Sequence, residues 1–202
     1  MSSTRRIVVF DRVSADGYFA APDGDLNWAV PDEQLDADGA SGISGTDTML
    51  FGLRTYDMFE SFWPRAVKDA TGPEDPHGPG RRSDAISKMA DWINEATKIV
   101  FSKTRKNVTW KNSRLVHEFN PADIAALKRA PGKDMMVFGS GSIVSQLTEH
   151  SLVDEYIFVV APVFLGSGKS MIHDVTTRLK LRLLEAKAFE TGNVRLRYAP
   201  AG

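Results

Sequence analysis

Three short stretches of this chain end an apolar run with small, hydroxyl-bearing or cationic residues. The apolar run Met135–Phe138 leads into Gly139-Ser140-Gly141-Ser142, and Ile143, Val144 and Leu147 follow at helical spacing. A strand end, small residues and a helix start gather backbone N–H groups around an anion, and glycines let phosphate oxygens approach closely. The chemistry expected here is capture of a dinucleotide by its phosphates. The G-x-G-x-x-G fingerprint needs glycine at position 144, where Val144 stands, so a strict Rossmann turn is excluded. The same four residues also fit a plain, tight strand–helix connection.

Phe51-Gly52-Leu53-Arg54-Thr55-Tyr56 has the same form. Arginine recognises phosphate bidentately, and threonine with backbone N–H groups adds donors; the alternative is an Arg54 paired with a surface carboxylate. Phe101-Ser102-Lys103-Thr104-Arg105 brings two hydroxyls and two cations to a third strand end. That set suits a monoester such as the 2′-phosphate of NADP, and equally an ordinary polar loop. Ligands of open α/β sheets sit outside the carboxyl ends of strands. Three such ends argue jointly for one extended polyphosphate ligand.

Other patterns fail on single residues. Leu165-Gly166-Ser167-Gly168-Lys169-Ser170 ends like a P-loop, but Val163 stands where the first glycine belongs, and Lys169 reads as solvated. The acidic stretch Asp32 to Gly39 lacks the EF-hand's acids, with Gln34 and Gly45 in their places. Four histidines show no i, i+4 pair, there is no G-x-S-x-G elbow, and with 0 cysteines thiolate metal sites and thiol catalysis are excluded; no metal is expected. A net charge of -1, with both signs scattered, gives no nucleic-acid tract, and the amino terminus holds only a four-residue apolar run, too short for a membrane span. The expectation is a cytoplasmic protein acting on a small molecule, with neither nucleic acid nor membrane as partner.

The elements that must position these residues follow from periodicity. Ile7–Phe10, Asp47–Gly52, Lys98–Phe101 and Met135–Phe138 read as buried strands, and Val108–Trp110 and Arg114–Val116 as short ones. Helices are expected near Asp32–Asp38, from Arg54 until Trp63-Pro64, after an N-cap at Ser83, after Asn120-Pro121, and after the 139–142 turn. Residues 68–82, rich in proline and glycine, read as a surface excursion within 64–96. Glu155–Leu165 reads as one long strand near a sheet edge, able to pair with a second copy, and 178–198 as a closing hairpin. The 202 residues then form one α/β domain: a mostly parallel sheet, an antiparallel carboxyl-terminal edge and flanking helices.

Taken in order, Ser14–Ala20, Asp47–Phe59, Lys98–Thr104, Met135–Ile172 and Leu181–Pro200 resemble the dihydrofolate reductase fold. The likeness is strongest to stand-alone relatives of the reductase domain of the riboflavin-biosynthesis deaminase-reductase. The resemblance implies NADPH as cofactor, with Gly52, Arg54 and Thr55 at its phosphates and Ser102, Lys103 and Thr104 near the 2′-phosphate. Gly139, Ser140, Gly141, Ser142 and Ile143 would form the pyrophosphate turn. It implies hydride delivery to a pterin-like or aminopyrimidine-like ring or to a carbonyl, with Asp11, Asp25 and Trp28 on the substrate side. The acid that follows the tryptophan in this family matches Glu33, with Asp32 next, as the catalytic carboxylate. It further implies a homodimer. The alternative is an NADP(H)-binding module or redox sensor without turnover.

Overall fold

The computed structural model describes residues 4–66, 84–176 and 178–201. In chain order the elements are β1 (Ile7–Ser14), β2 (Tyr18–Ala20), α1 (Glu33–Gly42), β3 (Thr46–Gly52), α2 (Leu53–Ala66), α3 (Asp84–Glu95), β4 (Thr97–Phe101) and β5 (Ser113–Val116). They continue with α4 (Pro121–Arg129), β6 (Asp134–Phe138), α5 (Gly141–Glu149), β7 (Glu155–Ala161), β8 (Lys169–Ser170), β9 (Leu181–Ala188) and β10 (Val194–Pro200). Eight strands form one sheet in the order β5-β4-β3-β6-β1-β7-β10-β9. The first six run parallel, and β10 pairs antiparallel with both β7 and β9. A separate ribbon pairs β2 with β8.

The near-continuous apolar runs of β1, β3, β4 and β6 arise because both sheet faces are covered. On β3, Leu50 joins one core with Ile143, Val144 and Leu147 of α5, while Met49 and Phe51 join the other with Phe59 and Trp63 of α2 and Ile93 of α3. Neighbouring residues of a strand point to opposite faces, so one run feeds two cores. The amino ends of the strands are pinned by charge: the buried Glu155 meets Arg6 at 2.5 Å and Arg197 at 2.6 Å. The carboxyl ends of β3, β6 and β1 are left for the site.

Several expectations change. α2 runs through Pro64 to Ala66; the missing N–H falls in the last turn, where only one intrahelical bond is lost. Residues 108–110 form no strand. Trp110 is instead buried against Tyr56, ring centroids 5.9 Å apart, and under the Lys98 ammonium at 4.4 Å. β7 stops at Ala161 because Pro162 cannot donate to the ladder. It lies between β1 and β10, so it has no free edge for a second copy; the outer strands are β5 and β9. Ser83 and residues 68–82 lie outside the described residues. Among the described residues no helix is long and apolar enough to cross a membrane, and no group of three or more acids or histidines gathers to hold a metal.

Candidate functional site

The β3–α2 and β6–α5 turns sit side by side at the carboxyl ends of adjacent strands. Ser140 ties them together. It adopts a left-handed conformation (φ 60) at the start of α5, and its Oγ accepts from Gly52 N–H at 2.8 Å and donates to Thr55 Oγ1 at 2.9 Å. Ser140 is thus consumed as a brace, and α5 begins without a side-chain cap, which leaves its first N–H groups for an anion. Gly141 is required by close approach: a Cβ there would lie 3.1 Å from Met171 O and 3.2 Å from the Phe19 ring.

A cavity of about 390 Å³ opens at these turns, lined by Gly52, Arg54, Thr55, Ser140, Gly141 and Ser142, and across from them by Lys169, Ser170 and His173. The Gly168-Lys169 segment arrives through the β2–β8 ribbon, in which Ala20 pairs with Lys169. Asp16 anchors the turn before it by accepting from Gly166 N–H at 2.7 Å and Leu165 N–H at 3.2 Å. Arg54 and Lys169 converge: Arg54 Nη1 and Lys169 Nζ each lie 3.1 Å from the point that a Cβ on Gly24 would occupy. Neither cation has a carboxylate within ion-pair distance among the described residues.

A second cavity, of about 240 Å³, adjoins the first and shares Phe19, Arg54, Thr55 and Lys169 with it. Its walls come from the end of β1, from α1, from Met58, Phe59 and Trp63 of α2, and from Ile86, Met89 and Ile93 of α3. Trp28 and Asp11 line it as expected. Asp11 is buried, its Oδ2 has no hydrogen-bond partner among the described residues, and burial pushes its carboxyl well above the usual range despite a bond from the Arg12 backbone. Asp36 lines the same cavity and pairs with Arg12 at 3.0 Å. Burial raises the Asp36 carboxyl, and the Arg12 charge offsets part of that rise.

The structure moves the expected acid. Glu33 is exposed at the first turn of α1 and lines neither cavity. Asp32 is the N-cap of α1, accepting from Leu35 N–H at 2.9 Å and from the Thr191 hydroxyl. Burial works against its ionisation, but these bonds win and hold its carboxyl below the ordinary value. Asp32 is spent on capping the helix, and Glu33 lies exposed in its first turn, where negative charge is favoured. Asp36 succeeds because Leu35, Asp36, Gly39 and Ile43 fall on one face of a 3.6-residue period, and that face lines the cavity. Asp25 is likewise displaced: it is exposed, and its carboxylate accepts from Asn27 N–H at 3.2 Å.

Other expected ligands divide. Gly52, Arg54, Thr55, Ser140, Gly141 and Ser142 come together, and Gly139 lines the apolar cavity. Ile143 faces the core, 4% exposed, with only its backbone in the turn. Ser102, Lys103 and Thr104 follow β4, which neighbours β3, but line neither cavity; Ser102 Oγ accepts from the N–H groups of Thr104 at 3.3 Å and Arg105 at 3.1 Å. Sequence reasoning missed Lys169, Arg12, Asp36 and Trp63. Only the helical period of α1 offered a signal, for Asp36; the others depend on pairings between distant segments.

A model of the RibD C-terminal domain matches residues 5–195. The chain belongs to the RibD C-terminal domain family. Within that family context it is 27% identical to the uncharacterized protein YyaP of Bacillus subtilis (strain 168), over 96% of this chain and 94% of that one. Among solved structures it resembles a putative riboflavin biosynthesis protein from Shewanella sp. PV-4, with a TM-score of 0.72 and 20% identity, covering 98% of this chain and 99% of that one. It also resembles dihydrofolate reductase from Enterococcus faecalis complexed with NADP(H) and RAB-propyl, with a TM-score of 0.58 and 10% identity, covering 98% of this chain and 97% of that one. The fold of this RibD C-terminal domain member is that of the dihydrofolate reductases.

Proposed function

We propose that the protein is an NADPH-dependent reductase of a small heterocyclic or carbonyl substrate. The observation that carries this reading is the convergence of Arg54 and Lys169, both without acidic partners among the described residues, at the junction of a polar and an apolar cavity. A dinucleotide needs that combination: phosphates on cations and helix N–H groups, and a reactive ring in a dry pocket beside them. The Enterococcus faecalis enzyme of the same fold was solved with NADP(H), which supports the same choice of cofactor. Arg54, Lys169, Thr55, Ser142 and the start of α5 would hold the phosphates, and the bound nicotinamide would supply hydride.

The protein's part is then placement and proton supply. The apolar walls exclude water. The Arg12–Asp36 pair presents one fixed dipole, and the buried Asp11 carboxyl, whose ionisation burial disfavours, would supply a proton from the cavity lining. Titration calorimetry with NADPH, followed by oxidation of NADPH in the presence of pterins, pyrimidinediones and aromatic aldehydes, tests the reading. Micromolar binding with oxidation by at least one class is expected. No binding at millimolar NADPH would remove it, and binding without any oxidation would favour a sensor module.

A further inference from the structure

The chain's four tryptophans divide by location. Trp92 Nε1 donates to Thr46 O at 3.0 Å and Trp110 Nε1 donates to Asn94 Oδ1 at 2.9 Å, and neither residue lines the apolar cavity. Trp28 and Trp63 do line it, and the buried Nε1 of each has no acceptor among the described residues. An indole nitrogen only donates. A buried donor left unpaired carries its full desolvation cost, so either N–H would gain from an acceptor that a molecule bound in this cavity brought within its reach.

The charges around these donors point the same way. Arg12 and Asp36 neutralise one another. Arg54 and Lys169 stand where the two cavities meet, and in the reductase reading the cofactor phosphates take both. The remaining walls are largely aliphatic, aromatic or thioether, with Phe59, Met89 and Phe138 among them. At about 240 Å³, the space lies below the roughly 300–1,000 Å³ of most small-molecule pockets.

Taking the site as that of a reductase, we propose that its substrate is a small, uncharged, planar molecule that offers carbonyl or ring acceptors to Trp28 and Trp63 and carries no phosphate. A phosphorylated sugar would bring negative charge into walls with no unpaired cation left to receive it. The charged groups that share the cavity with Asp11 are Arg12 and Asp36, already paired, and Arg54 and Lys169 at the mouth. For a carbonyl the balance would be as follows: NADPH held by Arg54 and Lys169 would supply hydride to carbon and leave as NADP⁺, while the C=O π bond breaks and a proton from Asp11 goes to oxygen. Water then reprotonates Asp11.

Calorimetry on the full chain without cofactor tests this, with 2-acetylnaphthalene as the neutral acceptor. A matched anion, 2-naphthyl phosphate, is scored by displacement of the ketone, so that its capture by the neighbouring anion cavity is not counted. The ketone is expected to bind at least tenfold more tightly than the ester displaces it. Trp63→Phe and Trp28→Phe are each expected to weaken ketone binding about fivefold, the usual effect of one lost hydrogen bond, and to leave NADPH affinity unchanged. Trp28 lies in a loop, so its variant keeps the test alive if Trp63→Phe does not fold. Absent ketone binding, an ester that displaces the ketone equally well, or indifference to both substitutions overturns the proposal. Failure of the reductase reading shows separately, as lost NADPH binding in the unaltered chain with ketone binding intact.

Discussion

The two cavities at the carboxyl ends of β3, β6 and β1 share Phe19, Arg54, Thr55 and Lys169, yet they are made differently. The anion cavity is mostly a product of chain-local turns: Gly52 to Thr55 is one stretch, Ser140 to Ser142 another, and the backbone supplies much of the binding surface. The apolar cavity is made of side chains from β1, α1, α2 and α3 that meet only through packing. The first is generic for a phosphate, and its residues recur wherever a strand feeds a helix. The second is particular, because two indole N–H groups and the Oδ2 of the buried Asp11 in its walls have no hydrogen-bond partner among the described residues. In the proposed reading, cofactor choice and substrate choice fall to separable walls that meet at Arg54 and Lys169.

The sharpest way to break this separation is to remove both cations. Arg54→Ala combined with Lys169→Ala is expected to lower NADPH affinity about a hundredfold or more, since each charge-assisted bond is worth about 1.5–3 kcal/mol. Ketone binding in the apolar cavity should change less than twofold. Parallel calorimetric titrations check this, and loss of both affinities together would show one undivided site. The ribbon that delivers Lys169 gives the next effect. A Cβ on Gly168 would lie 2.5 Å from the backbone Ala20 O, so Gly168→Val is expected to cost about 1–3 kcal/mol of stability as overpacking. NADPH affinity should fall about tenfold as Lys169 is displaced. A denaturant midpoint shift without any change in affinity would mean that Lys169 does not contribute.

Asp11 tests the apolar side. Its folded carboxyl is raised above the unfolded value of 3.8 by burial. Such a group contributes stability that is fully present below pH 3.8 and is lost as pH rises through the folded pKa, because the unfolded chain ionises first. Asp11→Asn does not titrate, so its stability relative to the unaltered chain should be least near pH 4 and rise toward pH 8. Urea midpoints at the two pH values check the sign, while NADPH oxidation by a competent substrate falls and NADPH affinity stays. The smallest effects belong outside both cavities: Glu33→Gln and Asp25→Asn should alter turnover and NADPH affinity less than twofold, since both side chains are exposed. A tenfold loss of turnover with Glu33→Gln would restore the helix-start acid to the site.

Much of this was legible in the residues. The runs that became β1, β3, β4 and β6 carry the continuous apolar character of strands buried on both faces, and Asn120-Pro121 starts α4 with the Asn120 side chain accepting from Ala122 N–H at 3.0 Å. The acids expected at Glu33 and Asp32 do not line the cavity: Pro31-Asp32-Glu33 marks a helix start where Asp32 serves as the cap, and Asp36, one turn later, lines the cavity. Lys169 was misread because its neighbours resemble a failed P-loop, and nothing in that stretch announces pairing with Tyr18–Ala20. The strand expected at 108–110 failed because β-branched and aromatic residues also suit a loop pinned by side-chain packing.

The sequence by itself determined the alternation of strands and helices, the parallel character of the sheet, and the two glycine-bearing turns at the carboxyl ends of β3 and β6. These are local properties, set by hydrophobic period, turn chemistry and the backbone N–H groups at a helix start. Tertiary structure alone decided which acid faces the cavity, that Lys169 meets Arg54 over Gly24, and that two of the four indoles lack acceptors. Each of those outcomes depends on contacts between segments far apart in the chain, and whether a polar atom finds a partner is settled only when the surfaces around it close.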